Sequence, residues 1–78
     1  MTNDYPRRMA ESAITHAFDN KLVLFGIVFT DKYVVNGYDR YDFIVIDESE
    51  ARKLFREYLM QFFMFEVDFS RRCGWISV

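Results

Sequence analysis

The sequence predicts a small α+β domain, a single layer of two helices on an antiparallel or mixed sheet, in the order α-β-β-α-β-β. The clearest sign is a stripe: Ala51, Leu54, Phe55, Tyr58, Leu59, Phe62 and Phe63 recur at the spacing of one helical face. Immediately before it, Tyr41-Asp-Phe-Ile-Val-Ile-Asp47 reads as a strand running straight into that helix. After it, Phe65, Val67 and Phe69 alternate with Glu66 and Asp68, the period of a half-buried strand.

Taken in order, residues 1–4 are expected to form a loose lead-in to one domain covering 1–78. The first helix opens at Asp4 or Tyr5, with Pro6 in its first turn, where a missing N–H does no harm. Ala10, Ala13, Ile14, Ala17 and Phe18 form its apolar stripe, and Asp19-Asn20 ends it. Leu22–Phe29 is β-branched and aromatic on both alternating sets, which predicts a strand needing cover on both faces. Gly26 inside it marks a bulge or a close backbone approach. Asn36-Gly37 suits a type I′ turn, with Tyr33-Val-Val35 as a short strand or strand extension leading into it. Arg40–Ile46 is the next strand. Asp47 followed by Glu50 has the capping-box spacing, with Ser49 as a rival cap, and the second helix is expected to run to about Phe63. Arg52, Lys53, Arg56, Glu57 and Gln61 fall on its wet side. Ser70–Gly74 reads as a turn and Trp75–Val78 as a short last strand.

Seventy-eight residues leave room for one core, and 51% hydrophobic content argues for a folded globule. A chain of this mass should expose roughly 5,000 Å² when folded, burying about 63% of its unfolded surface. Its fifteen aromatic side chains (Phe 9, Tyr 5, Trp 1) would by themselves supply about 2,000–3,500 Å². That is more than so small a core can enclose, so some rings are expected at a partner surface or another copy of the chain.

Net charge is −2, which gives no general attraction to a phosphate backbone. One cysteine excludes an internal disulfide, and one histidine beside it leaves no zinc set. Met1–Met9 carries Asp4, Pro6, Arg7 and Arg8 and no apolar stretch, so no secretory leader is expected, and no apolar run approaches a membrane span. The expected setting is cytoplasmic, with no cofactor and no metal.

Few residues suggest chemistry. His16 lies off the apolar stripe, with Asp19 in reach, and reads as a solvated histidine. Cys73 sits between Arg72 and Gly74; arginine would favour its thiolate, but a buried or partly buried structural thiol is the simpler reading. Asp39, Asp42, Asp47, Glu48 and Glu50 lack the spacing and the glycine of a calcium loop. Arg52, Lys53 and Arg56 form a basic strip on the second helix, and Arg71 and Arg72 a basic pair near the end; together they could contact nucleic acid. Pairing at i, i+4 explains part of the strip.

The most suggestive segment is the hairpin. Tyr33, Asn36, Tyr38, Asp39, Arg40 and Tyr41 combine low-entropy aromatic surface with a bidentate guanidinium, the composition of interface hot spots. With no phosphate loop, catalytic triad or dinucleotide fingerprint, the expectation is a non-catalytic protein–protein interaction module that also self-associates. Its profile is similar in kind to the small inhibitors that phages and mobile elements direct at host proteins, a likeness that covers no motif and carries over no residues. The alternative is a small nucleic-acid-binding regulator using Arg52, Lys53, Arg56, Arg71 and Arg72.

Overall fold

In the computed structural model, which describes residues 5–59 and 62–78, two helices pack on one face of a four-stranded sheet that is antiparallel throughout. The elements are α1 (Tyr5–Asp19), β1 (Ile27–Val35), β2 (Tyr38–Val45), α2 (Glu48–Leu54) running into a π turn (Phe55–Leu59), β3 (Met64–Asp68) and β4 (Cys73–Ser77). Strand order is β1-β2-β4-β3, so the connection through α2 steps over β4. The expectations for 1–4, for Gln61 and for the side chains of Tyr58 and Leu59 lie outside the described residues.

Helix α1 presents Ala10, Ile14, Ala17 and Phe18 to the core, while Ala13, expected in that stripe, is exposed. It ends in a Schellman arrangement: Leu22 N–H donates to the Ala17 carbonyl at 2.9 Å and Lys21 N–H to that of Phe18 at 3.3 Å. Lys21, at φ 55°, takes the left-handed position often held by glycine.

The expected strand at Leu22–Phe29 is corrected by the structure. Leu24 and Ile27 exchange backbone hydrogen bonds around a two-residue turn, with Phe25 at φ 43° and Gly26 at φ 81°, and β1 starts only at Ile27. Turn chemistry overrides β-propensity because Gly26 must approach α2: its carbonyl accepts from Ile46 N–H at 2.8 Å and from Asp47 N–H at 3.1 Å. The close approach anticipated for Gly26 is therefore present. The Asn36-Gly37 turn forms as expected, with φ 53° and 83° and Val35 paired to Tyr38. Strand β1 continues to Val35 through a bulge between Phe29 and Asp31.

Asp47 caps α2 by accepting from Glu50 N–H at 3.1 Å, so the rival Ser49 is not the cap. The helix is shorter than its stripe. Ala51, Leu54 and Phe55 are buried along one face, but the regular turns stop at Leu54, and Phe62 and Phe63 belong to the connection before β3. Phe69 likewise lies in the β3–β4 turn rather than in a strand.

The core is a chain of rings. Phe18 meets Tyr41 at 5.5 Å, Tyr41 meets Phe29 at 5.5 Å, Phe43 meets Phe55 at 5.3 Å, and Phe55 stacks on Phe65 at 4.6 Å. Such contacts add about 0.5–1.5 kcal/mol each beyond burial. Because Tyr41, Phe43 and Phe65 share one sheet face, these contacts put both helices on that face. The other face carries neither helix.

Candidate functional site

Strand alternation and register define the open face. One row across the sheet is Asp31, Asp42, Trp75 and Glu66, taken in the order β1, β2, β4, β3; the next is Tyr33, Arg40, Ser77 and Met64. Val28, Ile44, Cys73 and Asp68 form a third row, and Val35 and Tyr38 close the hairpin end. Neighbouring strands lie about 4.8 Å apart, so each row is a line of touching side chains.

The Arg40 guanidinium lies 3.9 Å from the centre of the Trp75 ring, a cation–π stack across β2 and β4. Its Nε is buried without a hydrogen-bond partner. Beside it, the Tyr33 hydroxyl donates to Asp42 Oδ1 at 2.9 Å. That bond to Asp42 holds the Tyr33 phenol above its usual pKa, while Arg40 pulls the other way. Tyr38 is 59% exposed, and Ile44 and Met64 also stand in solvent.

Of the hairpin residues marked in the sequence, Tyr33, Tyr38 and Arg40 meet on this face and Asn36 stands exposed at the turn. Asp39 has the opposite parity. Tyr41 does not belong to the site: it is 1% exposed, ringed by Phe18 and Phe29, with its hydroxyl 3.4 Å from Thr15 Oγ1. It points inward because it pairs in register with Ile76, at the centre of the core face. Trp75, which sequence reasoning left in a terminal strand, is the residue that was missed. Only the register of β4 against β2 sets it beside Arg40.

The basic residues are less concerted. Arg52 pairs with Glu48 at 2.9 Å and lies over the Phe69 ring, Arg71 is 3.8 Å from Asp68, and Arg56 is 3.8 Å from Glu57. Arg72 serves the sheet through its backbone, accepting from Val45 N–H at 2.8 Å, and Lys53 is exposed. The Arg52–Phe69 contact does bring the helix strip near the β3–β4 turn, but carboxylates occupy three of these five cations.

Cys73 is exposed on the open face, not buried as expected, because its pairing with Ile44 gives it that parity. His16 is exposed on α1, on the far side of the sheet, and takes Asn20 rather than Asp19 as its partner, with Nδ1 3.2 Å from Asn20 Nδ2. The two side chains do not share a pocket. Among the described residues no cluster of His, Cys, Asp and Glu could hold a metal ion, and no helix is long and apolar enough to cross a membrane.

A second surface feature is the loop before β1. Leu22, Val23 and Phe25 are about half exposed, and Val23, Leu24 and Phe25, with Ile46, wall a shallow cleft beside the start of α2. No protein-family model, curated protein sequence or solved structure matches the chain.

Proposed function

We propose that the chain is a non-catalytic protein-binding module whose contact surface is the open face of the sheet. The observation that carries this reading is the stack of Arg40 on Trp75, flanked by Tyr33 and exposed Tyr38, on a face that no helix covers. Trp, Tyr and Arg dominate the energetics of protein interfaces, and here they are gathered on rigid strands rather than on a loop. The sheet edges favour this face over edge pairing. Strand β1 carries a bulge with Asp31 and Lys32, and β3 is five residues long with Glu66 and Asp68 pointing outward, both of which discourage strand addition.

A blocking role against a larger protein, of the kind small mobile-element inhibitors play, fits a module that offers one such surface and little else. The nucleic-acid alternative has less support, because Arg52, Arg56 and Arg71 are paired with carboxylates and the open face itself is acidic.

The test is capture of a protein partner from a lysate by the chain and by its Tyr38→Ala/Arg40→Ala variant. The variant should keep its circular dichroism and unfolding midpoint but capture at least tenfold less, the equivalent of about 1.4 kcal/mol. Equal capture by both proteins would remove the face from the interaction. Titration with single- and double-stranded oligonucleotides separates the alternative, which requires binding that falls steeply with salt.

A further inference from the structure

Resting on that reading, we infer that the partner presents arginine or lysine side chains to the Asp31–Asp42–Trp75–Glu66 row, and that neither a second copy nor a nucleic acid fits there. The charges on the open face are lopsided. Asp31, Asp42 and Glu66 share it with one cation, Arg40, while Asp68 is taken up by Arg71 and the Ser70 turn. Asp31 is paired directly across from Asp42, a like-charge juxtaposition that disfavours the sheet on its own and that an incoming cation relieves. Asp42 and Glu66 flank Trp75 on either side. The pocket chemistry is already in use once, since the chain's own guanidinium rests on that indole at 3.9 Å. An aromatic ring bordered by carboxylates attracts cations, and one guanidinium against Asp31, Asp42 and Glu66 leaves the row with negative charge unmatched. Two copies meeting face to face would set six carboxylates of this row against two guanidiniums, and a phosphate backbone would meet the same repulsion.

The experiment uses the full chain and its single tryptophan, which sits in the row and reports on it. Hexa-arginine, hexa-glutamate and a short oligothymidylate are titrated at low salt while Trp75 emission and its indole N–H resonance are followed. Hexa-arginine should perturb both, weakening as salt rises. Asp42→Asn/Glu66→Gln should weaken it about tenfold, while Glu11→Gln/Glu57→Gln, equal in charge but away from the face, should bind like the parent. Matching unfolding midpoints establish that both variants are folded. The inference is overturned by a silent Trp75, by equal losses in the two double variants, by a response to hexa-glutamate or the oligonucleotide, or by a dimer that shields Trp75. If partner capture through Tyr38 and Arg40 persists alongside any of these results, the cation assignment fails while the binding face stands.

Discussion

Gly26 and Gly74 show how single positions hold this fold together. A β-carbon at Gly26 would run into the Asp47 carbonyl oxygen and lie 2.9 Å from Glu50 Cβ, and its φ of 81° is hostile to other residues. One at Gly74 would strike the Glu66 carbonyl oxygen and come within 2.7 Å of the Phe43 ring. Gly26→Ala should therefore destabilise by about 2–4 kcal/mol, combining overpacking with a strained backbone, as read from the urea midpoint. A loss below half a kilocalorie would mean that the Gly26 turn moves away from α2 without difficulty. Asp68 supports a different expectation. Its carboxylate accepts from the Ser70 hydroxyl at 2.7 Å and from Ser70 and Arg71 N–H, which holds its pKa below the ordinary carboxylate range. What this turn adds to stability is thus present above the unfolded carboxylate pKa and fades as pH falls through the lower folded value. An NMR titration should find Asp68 among the last carboxyls to protonate, and Ser70→Ala, which removes the strongest contact, should move it back upward.

At the scale of elements, what could be read from the sequence depended on whether one local rule acted alone. The hairpin at Asn36-Gly37, the Asp47 cap and the β3 alternation were all legible, because each follows from turn chemistry, a side-chain acceptor or period-two burial. The strand expected at Leu22–Phe29 was not, since Gly26 answers to a contact with residues twenty positions away. The second helix was legible in kind and wrong in extent. Its seven-residue stripe hides the change to a π turn at Phe55, and so places Phe62 and Phe63 on a helix that has ended. The proposed contact face was half legible for the same reason: Tyr33, Tyr38 and Arg40 stand together in the sequence, but Trp75 joins them only through long-range pairing. Phe55 holds the junction, 3% exposed, with rings of Phe43 and Phe65 on either side. Phe55→Ala should cost about 3–5 kcal/mol, a large share of the roughly 4–12 kcal/mol expected for a chain of this length. Chemical denaturation of parent and variant would read that difference, and a loss below about 1 kcal/mol would count against Phe55 as the keystone.

Across the whole molecule, exposed apolar side chains include Tyr33, Tyr38, Ile44 and Met64 on the open face and Leu22, Val23 and Phe25 in the loop before β1, with Ile46 beside it. Accessible surface is 5498 Å² against the roughly 5,000 Å² typical of this mass. The loop patch, four side chains about half exposed, amounts to about 300–400 Å², the size of the largest patch on an ordinary monomer. A lasting dimer needs about 800 Å² from each partner, so the loop cannot sustain one unaided. The open face carries the wrong charge for its own copy. Self-association, the other outcome that composition suggests, is therefore favoured by neither the open face nor the loop patch, and the free chain is expected to scatter light as a 9.4 kDa particle over a wide concentration range. Val23→Asp, which removes apolar surface from the loop, should leave that mass unchanged. A parent chain that doubles in mass and a Val23→Asp variant that does not would place a dimer on the loop after all, leaving the sheet face free for a different molecule.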